Sequence, residues 1–402
     1  MKKVVILAGL LANHWFNILN ANGYNSTPIK PVRNSDLQFL YSHYMQDGNN
    51  SAVTGGIGTE KLTVYSSAIV LKTQKLKNSW QLKFGSDVIS SASTDNIDFV
   101  KSSASILDAR THANLNYSLS TRKFGNFSLG TGFSMESDYF SKSFNLGYQS
   151  KWFHNKTQIG ISGIVYLDDL RWGRLNPTYK KPVRLIYPSE LRNINWFDVY
   201  NRNSYNVKAT VQYNVNHRNR IGFYPEFTLQ NGLLSTPFHR VYFADGSLKV
   251  EKFPNQRIKS ALGLKWNSFL KEKTVFKCAV DLFKDNFGVN AIGTELELAI
   301  KFNDKFTVSP FTRLYTQSQS DYFKPYKEHQ SNEEFYTSDR DLSRFNSIKL
   351  GTEFKYFPSN KKGKASYVNG LIIRYAYYSR DNGLSAHIVS LEITIKNKYR
   401  KK

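Results

Sequence analysis

The 402-residue sequence contains one cysteine, Cys278, so no disulfide, cysteine zinc cluster or thiol redox pair can form within the chain. It also lacks any run of the roughly 20 uninterrupted apolar residues that a membrane-spanning helix requires, which excludes a helical membrane protein. Apolar residues are scarce: at 40% they fall below the usual share of a soluble globular domain and would not fill a core for a chain this long. Acidic residues are outnumbered, 31 against 55 Lys and Arg, giving a net charge of +24. Such an excess ordinarily raises nucleic acid as a partner. Here the basic residues are distributed over many short connections, so no nucleic-acid partner is expected. No Pro/Ser linker or low-complexity tract divides the chain, which reads as one domain over residues 23–402.

What the sequence does have is aromatic residues, 15% of the total, and alternation. From Tyr205 to Asn216 the odd positions are Tyr205, Val207, Ala209, Val211, Tyr213 and Val215, and the even ones are Asn206, Lys208, Thr210, Gln212, Asn214 and Asn216. Successive side chains of a strand point to opposite faces, so one face is fit for lipid and the other for water. Ile292 to Phe302 and Val389 to Lys396 repeat the pattern with Glu295, Glu297, Glu392 and Lys396 on the polar face. Charged residues over such lengths suit a water-filled lumen and not a β-sandwich core, and the aromatics suit the girdles of a membrane barrel. The alternating runs are 35–46, 59–71, 79–92, 110–121, 125–137, 140–151, 157–168, 203–216, 220–230, 257–270, 274–285, 290–302, 305–317, 345–357, 368–379 and 386–399. The expected fold is therefore all-β: a transmembrane antiparallel barrel of about 16 strands, within 14–18.

The connections alternate in chemistry. One set is short and basic, as at Lys75 and Lys77, Arg218 and Arg220, and Lys271 and Lys273; the other includes long stretches rich in Asp, Ser, Asn and Gly at 47–58, 93–109, 169–202, 231–256 and 318–344. That asymmetry predicts short periplasmic turns and long extracellular loops. Met1-Lys2-Lys3 followed by Val4 to Ala12 reads as the start of an export signal over residues 1–22, although no small-x-small cleavage site stands near residue 22. The expected location is the cell outer membrane, with outer-membrane lipid, lipopolysaccharide and the barrel assembly machinery as partners.

Eight segments are distinctive as sequence: YMQDGNNSAVTGGIGTEKLTVY (44–65), SSASTDNIDF (90–99), DARTHANLNYS (108–118), ESDYFS (136–141), GLLSTPFHRVYFADGS (232–247), SDYFKPY (320–326), YTSDRDLSRFNS (336–347) and DNGLSAHIVSLE (381–392). In this order they resemble a Bacteroidota-type outer-membrane family catalogued as domain of unknown function 3570, over roughly residues 35–395. The resemblance implies a β-barrel location and no particular reaction.

These segments map to the long-loop rim and are rich in acids. Strand parity places Glu136 and Asp138 on the lumen face of one strand, Asp168 on the lumen face of a second, and Arg110 and His112 together on the lumen face of a third. Asp47, Asp95, Asp98, Asp108, Asp285, Asp321, Asp339, Asp341 and Asp381 come from neighbouring segments. Hard cations take several carboxylate and carbonyl oxygens, so calcium at an acidic rim is one reading. The plainer one is that Asp, Asn, Ser and Gly are turn formers, since no segment has the ligand spacing of an ion loop. If the acids converge, Arg110 is the counter-charge parity selects. His112, His239, His329 and His387 also fall at or near this rim, where a transition metal is conceivable. Arg240, Arg340 and Arg344 are expected to form salt bridges that lock loops. The TGGIGT stretch at 54–59 lacks the Lys-Ser/Thr of a phosphate-binding loop and reads as a tight turn. Ser235 and His239 are close only in sequence, and no nucleophile elbow appears.

The functional expectation is a channel or transporter for small hydrophilic solutes, without a cofactor and not an enzyme. The alternatives are a plugged barrel that docks partners and, third, a barrel enzyme.

Overall fold

The structure, a computed structural model, describes residues 33–91, 107–121, 124–136, 140–170, 201–236, 239–358 and 366–399. Strand β1 (Arg33–Asp47) is followed by a small hairpin, β2 (Asn49–Ser51) and β3 (Ile57–Thr59), which stands on the loop before β4 (Leu62–Lys75). Then come β5 (Asn78–Ser91), β6 (Leu107–Thr121), β7 (Gly125–Met135), β8 (Phe140–Trp152), β9 (Thr157–Asp169), β10 (Asn201–Asn214) and β11 (Asn219–Gly232). A second loop hairpin, β12 (Arg240–Tyr242) and β13 (Leu248–Val250), precedes β14 (Gln256–Lys271). The last strands are β15 (Thr274–Asp285), β16 (Asn290–Lys301), β17 (Phe306–Gln317), β18 (Phe345–Tyr356), β19 (Ser366–Arg380) and β20 (Ser385–Tyr399).

All strands outside the two hairpins form one closed barrel of sixteen, each antiparallel to its neighbours. β1 seals against β20 with Arg33 opposite Tyr399 and Asp47 opposite Ser385, so both ends of the described chain lie at one rim. Closure leaves no sheet edge, which is the condition for spanning lipid with strands.

The alternation explains the wall. Along β10, Tyr205, Val207 and Tyr213 are exposed on the outside, whereas Ser204 and Thr210 are buried on the inside. The same outer face carries Phe84, Leu146, Phe227 and Phe354, each about half exposed, as lipid-facing side chains of a barrel must be. Trp80, Trp152, Trp266 and Phe302 are exposed near the short-turn rim, and Tyr375 and Tyr377 near the other, the two aromatic girdles.

The sixteen strands expected from alternation are the sixteen barrel strands, with ends displaced by at most four residues. The largest displacement is at β4, which runs on to Lys75 where the alternation ended at residue 71; at its start residues 59–61 leave the barrel, Thr59 belonging to the loop hairpin. The TGGIGT stretch is a tight turn: Ala52–Thr54 form a 3-10 turn that ends on Gly55 with φ 77°. Residues 1–22, read as an export signal, lie outside the described residues.

Candidate functional site: the inner wall and the loop cap

The inner wall is built from ion pairs within strands, between neighbouring strands and across one or two intervening strands. On β6 and β7, Arg110 Nε donates to Ser134 Oγ at 2.8 Å and stands 3.6 Å from the carboxylate of Glu136, which is buried. Asp168, also buried, accepts from Ser141 Oγ at 2.7 Å and from Arg202 Nε and Nη2 at 2.9 and 2.8 Å. His112 Nδ1 lies 3.9 Å from Asp87, on the face that also carries Lys83. Farther round, Lys208 and Asn206 both reach Glu226, at 3.4 and 2.7 Å.

On β15 to β19 the signs interleave. Glu295 is 3.8 Å from both Lys349 and Arg374, and Glu353 lies between Lys355 at 2.8 Å and Arg374 at 3.9 Å. Lys277 meets Glu297 at 2.8 Å, Arg313 approaches Asp281 at 3.9 Å, and the Arg374 guanidinium sits 3.9 Å above the Phe311 ring. Lys349, Glu353 and Phe311 are all buried by this packing. A surface of alternating charge satisfies itself locally and offers polar atoms of both signs to a solute.

The long-loop rim is covered by a folded cap. The hairpin β12–β13 joins the segment before β18 through Phe243 opposite His329 and Lys252 opposite Tyr336. Two apolar clusters hold the cap, one of Phe253, Phe287, Val289, Phe323 and Leu342, the other of Val241, Phe243 and Tyr336. Gly55, from the β1–β4 loop, lies so close to Tyr242 that an added Cβ would be 2.5 Å from its ring. Gly56 lies against Ser338 and Tyr326.

In the ring order, β1 and β4 stand diametrically opposite β11 and β14. With strands 4.7–4.9 Å apart and tilted about 40°, a sixteen-strand barrel is roughly 30 Å across. Loops from opposite walls that touch must therefore arch over the mouth.

Inside the cap, Glu251 is fully buried and accepts from Thr236 N at 2.9 Å and Thr337 Oγ1 at 2.5 Å. His239 Nδ1 lies 3.3 Å from Glu251 Oε2 and 3.6 Å from Asp339 Oδ2. His329, also fully buried, makes contacts from Nδ1 to Glu333 at 2.6 Å and from Nε2 to the Thr337 carbonyl at 3.0 Å. Burial raises the Glu333 carboxyl, but hydrogen bonds from Lys324, the Gln330 N–H and His329 outweigh it and leave the group at about 2.

Among the described residues, the rim acids flagged in the sequence do not gather into one ring. Glu136 and Asp168 have separate arginines, so Arg110 serves the first and Arg202 the second. Asp341 reaches Arg380 at the end of β19, at 2.6 Å, and not its sequence neighbours Arg340 or Arg344. Arg340 instead lies over the Phe323 ring, and Arg240 enters the cap through its backbone pairing with Val250. Asp47 lies 3.7 Å from Lys61, and Asp321 packs against Gly288.

Asp108 pairs through its backbone with Ile89, while Asp95, Asp98 and Asp138 lie outside the described residues. His387 is not a lumen residue: the alternation turns it outward, where it hydrogen-bonds Tyr375 OH at 2.9 Å between Tyr375 and Tyr377. Ser235 and His239 are not partners either, since the Ser235 hydroxyl accepts from Phe253 N at 2.8 Å. Asp87, Arg202, Glu251 and Arg380 were not singled out by sequence. Parity along β5 would have found Asp87; nothing local marks Glu251.

A closed barrel with an apolar outer belt and a charged inner wall defines a transmembrane β-barrel of porin-like architecture. The family described as Protein of unknown function (DUF3570) matches residues 100–390, and the chain belongs to it. No curated protein matches the sequence. Among solved structures, a BenF-like porin from Pseudomonas fluorescens Pf-5 is similar at 8% identity and TM-score 0.43, covering 91% of this chain and 99% of that one. Pseudomonas aeruginosa OccK2 (OpdF) is similar at 7% identity and TM-score 0.43, covering 92% and 98%. The fold assignment rests on the chain's own strand pairing.

Proposed function

We propose that the protein is an outer-membrane channel for small hydrophilic solutes, narrowed at its outer mouth by the loop cap. The observation that carries this reading is the inner wall, whose interleaved ion pairs around Glu295, Lys349, Glu353 and Arg374 only water or a polar solute would wet. The short-turn rim, with both described chain ends, faces the periplasm, and the cap faces outward into a Gram-negative, Bacteroidota-type envelope. Lipid and lipopolysaccharide surround the aromatic girdles, the barrel assembly machinery inserts the chain, and no catalytic step is assigned. Calcium is not required by this arrangement, since arginines and lysines already face the rim acids at Asp47, Glu136, Asp168 and Asp341.

The test is single-channel conductance in planar bilayers, with the reversal potential measured in a salt gradient. Small, steady conductance steps are expected. Arg374→Gln, which removes one positive charge from beside Glu295 and Glu353, is expected to shift the reversal potential toward cation preference. Silence in the native protein and in a variant whose β12–β13 hairpin is replaced by a short Gly-Ser linker would overturn the channel reading and favour a plugged docking barrel.

A further inference from the structure

We propose that His239, Glu251 and Asp339 form a binding site for one divalent transition-metal ion of the zinc class, which fastens the two long loops of the cap to each other. His239 and Glu251 flank the β12–β13 hairpin, and Asp339 lies in the loop before β18. Each residue offers one ligand atom, and the three atoms lie within 4.8 Å of one another. Nδ1 of His239 stands 3.3 Å from Oε2 of Glu251 and 3.6 Å from Oδ2 of Asp339. Zinc ligands at 2.0–2.2 Å in a tetrahedron are separated by about 3.3–3.5 Å, so these two edges are already near the length that such an ion needs.

The surroundings are arranged as they are around metal ligands, whose outer atoms are held by further hydrogen bonds. Glu251 has its other oxygen, Oε1, held by the Thr236 N–H at 2.9 Å, and Asp339 has Oδ1 held by the Asp341 N–H at 2.8 Å. The inner oxygens are thereby turned toward the imidazole. Thr337 links the two acids, donating from Oγ1 to Glu251 Oε2 at 2.5 Å and accepting from Asp339 N at 3.1 Å. All three candidate ligands are buried, Glu251 completely.

Charge favours an ion. Two carboxylates and one imidazole, brought together in a place with little water, match the charge of a divalent cation. A divalent ion with two carboxylates and a neutral imidazole is neutral. Ligand type selects the metal: calcium takes six to eight oxygens, whereas one imidazole nitrogen with few carboxylate oxygens suits zinc and its first-row neighbours. A water molecule would complete a fourth position.

The test uses the full-length protein, folded in detergent, freed of metal with a chelator and carrying Cys278→Ser so that the thiol cannot contribute. Zinc, and cobalt as a coloured substitute, are titrated by calorimetry and visible absorption, with calcium as competitor. One equivalent of zinc is expected to bind, cobalt to give a visible band that zinc abolishes, and calcium not to compete. Asp339→Asn and His239→Gln are expected to lose the site, and Thr337→Val to weaken it by about 10–100-fold as an outer-shell change. Each variant is checked for the heat-modifiable mobility of a folded barrel, which the cap does not supply. No zinc binding by the parent protein at micromolar concentration would overturn the proposal. So would binding unchanged in Asp339→Asn and His239→Gln, which would place the ion elsewhere.

Discussion

Val207 and Val215 test the orientation of the barrel wall on one face of one strand. Val207 lies in the middle of β10, 48% exposed on the outer face, with Phe227 beside it on β11. Val215 has the same 48% exposure but follows the strand, at the short-turn rim. Eight residues separate them, which at about 3.3 Å per residue and a tilt near 40° is roughly 20 Å along the membrane normal. The apolar band is about 25 Å tall, so a side chain at its middle and one displaced by this much lie on different sides of its boundary. Val207→Arg is therefore expected to cost about 2–4 kcal/mol and Val215→Arg about 0–1 kcal/mol, because the second guanidinium reaches headgroups and water. The difference corresponds to at least a several-fold change in the folding equilibrium. The measurement is reversible folding into lipid vesicles against denaturant, scored by gel mobility and tryptophan emission. Lys208, next to Val207 but pointing inward to Glu226, shows what a cation costs on the other face: it is already there, paired at 3.4 Å. Equal stability of the two arginine variants would refute the reasoning, since it would put the Val207 column in water.

Three other outcomes are expected. Arg202→Ala removes the guanidinium that donates twice to the buried carboxylate of Asp168, and should lower the midpoint of unfolding by the equivalent of about 1–3 kcal/mol; full recovery in the double variant with Asp168→Asn would identify the lost pair as the cause. Gly288→Ala places a Cβ at a φ of 86° against the Asp321 carboxylate, so the β15–β16 turn should loosen, read as faster amide exchange at Phe287 and Val289 with an overall cost of about 1 kcal/mol or more. The third concerns pH. Glu333 has its folded value depressed to about 2, so its contribution to the cap is complete above the ordinary carboxylate value of 4.5 and is lost as pH falls through about 2. Near-ultraviolet dichroism of the cap should therefore show no step from Glu333 between pH 7 and 5, and Glu333→Gln should move the acid transition upward; an acid transition unchanged in that variant would contradict the assignment.

The strands were legible because a membrane barrel writes its environment into every second residue. Tyr205 to Val215 had to alternate once one side met lipid and the other water, and the parity that placed Lys208, Glu295 and Glu297 inside needs no tertiary information. His387 shows the limit of grouping residues by rim: it does stand near the long-loop end of β20, yet the alternation turns it outward, beside Tyr375 and Tyr377. The cap was not legible at all. Its contacts join Gly55 to Tyr242 and Glu251 to Thr337, between segments that no local period relates. Likewise Arg202 and Arg380 stand at strand ends, where the alternation stops constraining residue type and only the register of β9–β10 and the path of the loop before β18 decide which acid they meet.

The arch of loops also dates itself within folding. Gly56 and Ser338 come from opposite ends of the chain, and the β1–β4 loop touches the others only once β1 has been carried round to β20. The loop-closure entropy of so long an intervening segment must be offset by the seam itself, because contacts this distant in sequence form late. The cap is thus expected to appear last, so that its completion would report that the seam has shut. During folding, the moment at which the cap loops become resistant to protease would mark the passage from an open sheet to a sealed barrel.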